Sequence, residues 1–481
     1  MNIVIGIIGW AFNLIAWLIP SPREYFKEIL AKKGRNKPFT YKNDIFAKDT
    51  IKYRFMNTLH DLNDIYEDAI FKSIIDDKHE GNNVEYGIKR PFSYDTFTSE
   101  TFHKPEVLRS KLSQSDASLL DRFYDDTCQN YLEEGNKKFI TEAPFIDVEH
   151  HFYYYILDKY YALDDKIQVE MASVAGEKIN DPYKRKKARS IINDIKLGTE
   201  DKREFSRILR CLNDVEDYFD ATSTQEKKNI LIDVIKMSLN ANSYDLSQLN
   251  GRVGHILDPK KCKCGDIEDF VNYIMLGLKK KIELNYLVDN SGVEFVSDLC
   301  LARILLSESV EKVIFHVNVL PIFVSDVVED DYNFMIQVIE SQLDEKMKIY
   351  REGLERIKEM FNPSNPKAEI VPSFFWNMPT PYREVKNELK PDIFSANNSL
   401  LIVKGDLNYR RLVEDKNWKY SKRLETLTDY IKCPALVIRC FKSDLVLDYK
   451  WKDYNKNNKT DSDWRSCGEY GVVRFLRGSC H

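Results

Sequence analysis

The sequence predicts an α/β protein: a three-layer α/β/α domain with a mostly parallel sheet, plus a helical N-terminal lobe. Three observations lead there. Between residues 282 and 326 an apolar run, a helical pattern and a second apolar run follow one another. That is the order of a parallel strand pair joined by a right-handed crossover. From about Asp269 onward short apolar runs keep alternating with helical patterns, whereas residues 23–268 read as mainly helical. The apolar runs lead into polar clusters, as strands do when their carboxyl ends face a ligand. At 481 residues the chain exceeds one ordinary core. The expected division is an apolar segment 1–22, a mainly helical lobe 23–268 and an α/β domain 269–481 that carries the polar strand ends.

Residues 1–20, MNIVIGIIGWAFNLIAWLIP, are nearly all apolar and about long enough to span a bilayer. Arg23, Lys27, Lys32, Lys33 and Arg35 follow them. As an anchor, this segment would hold the rest of the chain in the cytoplasm. A buried or interfacial helix accounts for it equally, and membrane contact is expected through residues 1–20 only. Further on, Ile51, Met56, Leu59, Leu62 and Ile65 recur at helical spacing, with Thr50 placed to cap. Residues 76–106 read as loops, and a helix follows the proline break at 144. Its adjacent His150 and His151 do not share a helix face, so they read as part of an aromatic packing stripe. Cys262 and Cys264, in KCKCGD, have no further ligands at zinc spacing and read as a surface loop.

Strands are expected at 282–288, 312–317, 368–372, 400–403 and 435–438. Phe295, Leu299, Ala302, Leu305 and Leu306 mark a helix after the first of these. Two more helices are expected over 332–360 and 379–390, and KNNKTDSD (456–463) reads as a loop.

Several function classes drop out. The net charge of −5, with acidic and basic residues interspersed, leaves no nucleic-acid footprint. Nine cysteines in no regular framework suit reduced thiols in a cytoplasmic setting. The sequence has no P-loop and no G-x-G-x-x-G, so a kinase or dinucleotide enzyme has no support. The strand ends carry the remaining chemistry. Asp289, Asn290 and Asp326 offer two carboxylates and an amide oxygen, hard ligands for Mg²⁺, Mn²⁺ or a similar ion. Ser291 and Gly292 precede a helix, where their N–H groups can face an anion. Lys442, in Arg439-Cys440-Phe441-Lys442, can offset phosphate charge. An ordinary turn with caps, and a solvated basic turn, account for the same residues.

Longer strings narrow the choice. Residues 288–302 read VDNSGVEFVSDLCLA, 321–326 read PIFVSD and 404–410 read KGDLNYR. They resemble the V-D-N-[AS]-G-x-E-x-x-x-D-L-x-L-A, P-x-F-V-S-D and K-G-D-L-N-Y-R segments of the metal-dependent damage-control phosphatases, subfamily III, the acidic residue methyltransferase 1-like proteins. Weaker likeness covers Phe46 to Arg54, Ala143 to Ile156, Asp181 to Tyr183, Asn242 with Asp245, Leu246 and Ser247, and Arg439 with Lys442. The chain departs from the family pattern at Met56, Tyr154, Tyr155, Asn240, Ala241, Asn318 and Cys440.

The resemblance implies a divalent-metal-dependent phosphatase hydrolysing small phosphomonoesters, with Mn²⁺, Co²⁺, Ni²⁺ or Mg²⁺ as cofactor. Sugar phosphates such as fructose 1-phosphate or fructose 6-phosphate are the implied substrates, and a small phosphorylated metabolite is the implied partner. By the same resemblance Asp289, Asn290 and Asp326 hold the metal, and Lys442 joins them in catalysis. Glu294, Asp406, Leu407, Asn408, Tyr409, Arg410, Lys442 and Arg54 then contact the substrate. An S-adenosylmethionine-dependent protein carboxyl methyltransferase and a non-catalytic phosphometabolite-binding relative are the alternatives. The lone Gly292 argues against the glycine-rich loop usual in methyltransferases.

Overall fold

The computed structural model describes residues 36–40, 45–79, 91–99, 104–127, 136–172, 181–200, 206–242, 258, 261–275, 282–385, 392–461 and 463–478. Residues 1–20, and Asp245, Leu246 and Ser247, lie outside these. No helix among the described residues is long and apolar enough to cross a membrane.

Seven strands form one sheet: β1 (Cys262–Lys263), β2 (Ile282–Leu287), β3 (Val310–Val317), β4 (Ala368–Pro372), β5 (Ser399–Lys404), β6 (Ala435–Cys440) and β7 (Gly471–Leu476). Their order is β1-β7-β6-β5-β2-β3-β4. The five strands from β6 to β4 are parallel, and β7 pairs with β6 antiparallel. Every residue of β5 and β6 is buried. This is why those stretches read as unbroken apolar runs rather than alternating ones.

Alternation reappears in which side of the sheet each residue packs on. Leu401, Val403, Ala435 and Val437 join a core with Phe55, Phe152 and Tyr154. Leu400, Ile402, Leu436 and Ile438 join another with Ile191, Leu212, Val234 and Leu299. The sheet is therefore the middle of three layers. One flank holds the helices Phe55–His79 and Phe145–Tyr161. The other holds Lys184–Glu200, Arg207–Asp220, Thr224–Ala241 and Val293–Leu305.

Strand order fixes where a ligand can sit. From β2 the chain steps outward to β3 and β4, then returns to the other side of β2 to lay down β5. The carboxyl ends of β2 and β5 therefore flank the point where the winding reverses, and a crevice opens there.

Five local expectations are corrected. The stretch 76–106 is not loop throughout, because the helix Phe55–His79 runs into it and Tyr94–Ser99 is helical. The expected helix 332–360 is two helices, Asp331–Gln342 and Lys348–Glu359. Between them the Asp344 carboxylate accepts the Lys346 N–H at 2.8 Å, closing a turn that competes with the helix. The stretch 456–463 is not a loop throughout, because the helix Trp451–Thr460 runs into it; none of its residues is buried, so it shows no apolar stripe. Cys262 and Lys263 form a sheet edge rather than a loop. Thr50 does not cap; it lies inside the helical turn Thr50–Arg54, and its hydroxyl lies 3.5 Å from Arg54 Nη1. Of the expected helix 379–390, Tyr382–Val385 is helical, and the residues from 386 lie outside the described set.

Candidate metal centre

The chain leaves β2 through Val288, Asp289 and Asn290, and the segment 321–327 comes back to meet it. Asn290 and Asp326 form an antiparallel bridge. Ser291 N–H donates to the Ser325 carbonyl at 2.6 Å, and Val327 N–H to the Asp289 carbonyl at 3.1 Å. This short pairing sets Asp289, Asn290 and Asp326 side by side. The returning loop is strained: Phe323 and Val324 have φ of 52° and 70°. A β-branched residue seldom adopts that conformation, and it persists only where its surroundings over-determine it. Here Lys187 Nζ holds the Asp326 carbonyl at 2.8 Å, and Ser325 Oγ donates to Asn290 Oδ1 at 2.6 Å.

Side-chain amides orient the carboxylates. Asp289 Oδ2 accepts from Asn242 Nδ2 at 3.0 Å and from Asn290 Nδ2 at 2.8 Å. Asp326 Oδ2 accepts from Asn318 Nδ2 at 2.7 Å. The Asn290 NH₂ group also donates to Glu294 Oε2 at 2.8 Å, so two carboxylates fix its amide with the oxygen on the opposite side. Two nine-tenths-buried carboxylates and an oriented amide oxygen make an all-oxygen donor set of the kind hard divalent ions take. The residues present therefore fit such an ion.

Behind this rim lies a charged cluster. Glu294 is fully buried and takes Lys404 Nζ at 3.1 Å and Asn242 Nδ2 at 2.8 Å. Lys404 also reaches Asp298 at 2.8 Å, and Tyr286 and Ser238 hydroxyls donate to the same carboxylate. Burial pushes Asp298 up to about 6, against the pull of Lys404. Burial alone would lower Lys404, but Asp298 and Glu294 outweigh it and hold its pKa above the ordinary lysine value.

The end of β5 forms the other wall. Gly405 has φ of +92°, and a Cβ there would stand 2.0 Å from Asp289 Oδ2. Only glycine lets the backbone pass so close to the carboxylate. Asp406 Oδ1 accepts from Arg439 Nε at 2.7 Å, from the Lys442 backbone N–H at 3.1 Å and from Ser443 Oγ at 3.3 Å. Asp406 thus ties the loop after β6 to the end of β5. Asn408 Nδ2 donates to the Val288 and Lys404 carbonyls, both at 2.8 Å, and its oxygen accepts from the Tyr382 hydroxyl. The Tyr409 ring lies under the Arg439 guanidinium, 4.3 Å away.

The sequence-derived residues thus fall into two groups. Asp289, Asn290, Glu294 and Asp326 come together, with Asp406 and Asn408 on the wall and Lys442 buried in the adjoining loop. Arg410 is turned to other work: it pairs with Glu149 at 2.6 Å and with Asp415 at 2.9 Å. Arg54 acts on the same Glu149, whose pKa burial raises and Arg410 and Arg54 pull down. Leu407 has no polar side-chain group to offer. The N–H groups of Ser291 and Gly292 do not face an anion, because Ser325 O and Met335 Sδ take them.

Lys404, Lys187, Tyr382 and the amide of Asn318 have no role assigned from the sequence alone. Lys404 stood inside the matched K-G-D-L-N-Y-R string, which was signal enough. Tyr382 and Lys187 carried none.

A family model described as the damage-control phosphatase ARMT1-like domain matches residues 132–453. A mouse (Mus musculus) protein named damage-control phosphatase ARMT1 is 29% identical over 262 residues, covering 50% of this chain and 58% of the relative. The like-named Xenopus laevis protein is 30% identical over 206 residues, 41% of this chain and 44% of the relative. The human (Homo sapiens) one is 26% identical over 290 residues, 56% and 62%. The chain spans less than two thirds of the length of each of these relatives.

Proposed function

The chain belongs to the damage-control phosphatase ARMT1-like domain family, and from that premise we propose that it is a divalent-metal-dependent phosphatase of small phosphorylated metabolites. One observation carries the reading: two carboxylates and an oriented amide oxygen meet at the winding reversal of a parallel sheet. Asp289, Asn290 and Asp326 would hold the ion. Bound there, it would polarise a phosphoryl oxygen and make a coordinated water more acidic.

The chain's own residues do the rest. Asn242 and Asn318 hold the carboxylates in place without neutralising them. Lys442 neutralises phosphate charge, and Asp406, through Arg439 and the Lys442 backbone, fixes the loop that carries it. Glu294 and Asn408 position the substrate's hydroxyl groups through the groups they orient. Arg410 and Arg54 act from behind the wall. Mn²⁺, Co²⁺, Ni²⁺ and Mg²⁺ are the candidate ions, fructose 1-phosphate and fructose 6-phosphate the candidate substrates, and the cytoplasm the setting.

The test is phosphate release from a panel of sugar phosphates by chelated protein, with each of the four metals restored singly. Metal-dependent release supports the reading. Folded protein that releases nothing with any metal contradicts it, and S-adenosylmethionine binding by that protein would favour the methyltransferase.

A further inference from the structure

Asp147 has no part in the metal centre. It sits in the first turn of the helix Phe145–Tyr161 and is 7% exposed. Among the described residues no hydrogen bond or ion pair reaches its carboxyl group. A buried carboxyl group left so is costly, and native proteins seldom keep one without a reason.

That carboxyl group lines a cavity of about 410 Å³, within the range of small-molecule sites. Much of the wall is apolar, with Phe123, Pro144, Met378 and Pro381 among its residues. Most of its charged groups are already engaged. Asp415 gives both oxygens to Arg410, and Glu414 is shared by Arg383 and Lys416. The Arg411 guanidinium is taken by the carbonyls of Phe375, Trp376 and Thr380. Arg122 also faces the cavity. Burial, and then the negative charges of Asp415 and Glu384, push Asp147 up to about 8. The field at Asp147 is therefore one that a cation would relieve, and Glu384 offers a second, exposed carboxylate beside it.

We propose that this cavity is a second ligand site that takes a primary ammonium group on a short apolar body, the charge meeting Asp147 and Glu384 and the body packing on the prolines and Phe123. None of the proposed metal-holding or phosphate-facing residues lines it, so the site stands or falls apart from the phosphatase reading.

The probe is n-pentylammonium, with 1-pentanol as its uncharged control, titrated into the full chain at fixed ionic strength by calorimetry. Saturable binding of the ammonium and none of the alcohol is expected. Asp147→Asn should weaken it at least tenfold, and Glu384→Gln a few-fold. Affinity should rise about tenfold per pH unit up to about pH 8 and level off above it, as Asp147 gives up its proton. Neither substitution should change metal-dependent phosphate release, which also reports that the variants are folded. Equal binding of amine and alcohol, no binding at millimolar amine, or undiminished binding by Asp147→Asn would each overturn the proposal.

Discussion

Two neighbouring sets of buried carboxylates are held in different ways. At the rim, the amides of Asn242, Asn290 and Asn318 donate hydrogen bonds to the Asp289 and Asp326 side chains. Behind it, Glu294 and Asp298 share the ammonium group of Lys404. An amide fixes a carboxylate's direction and leaves its charge, whereas a lysine fixes it and cancels the charge. On the proposed function, the rim carboxylates would meet an incoming cation, and the cluster behind them would serve as scaffold. Asn242 belongs to both sets, bonding Asp289 on one side and Glu294 on the other, with its oxygen on the Cys440 N–H.

Removing a rim charge should have the largest effect. Asp289→Ala should cut metal-dependent phosphate release by about 10³-fold or more while leaving the melting temperature near that of the parent. Removing the scaffold cation should do the reverse. Lys404→Met strands two buried carboxylates and should cost about 3–5 kcal/mol in denaturant unfolding; pairing it with Glu294→Gln should restore part of that. A rim amide should matter less than a rim charge. Asn242→Ala should weaken metal binding about 10–100-fold, as losing an outer-shell partner does.

The smallest expected effect is a slope with pH. Asp298 is raised to about 6 by burial, so between about pH 4 and pH 6 the folded protein holds a proton that the unfolded chain has released. Stability should therefore fall as pH rises through that window, by about 1–3 kcal/mol, and stay level above it. Asp298→Asn should flatten the slope. A slope unchanged in that variant would place the titration elsewhere.

Much of this arrangement was legible in the sequence. The strand–turn–helix of 282–305 announced itself by an apolar run, a small polar turn and a helical stripe. The all-buried strands β5 and β6 showed as apolar runs with polar ends. What stayed hidden depends on distant parts of the chain. The grouping of Asp326 with Asn290 was legible, but not the two left-handed residues through which the loop beyond β3 folds back to make it, which nothing local requires. Arg410 shares a seven-residue string with Asp406 and Asn408, yet helical phase turns it toward Glu149, far away in sequence. The exposed helix Trp451–Thr460 has no apolar face to reveal it, and the edge strand β1 is too short to show a period.

Whether the rim charge holds the ion is read by titrating Mn²⁺ calorimetrically into chelated protein and into Asp326→Asn, which keeps the side chain's shape and removes its charge. The parent should bind one ion, and the variant should lose at least a hundredfold in affinity. Equal Mn²⁺ affinity in the two proteins would mean that the charge at the rim does not hold the ion.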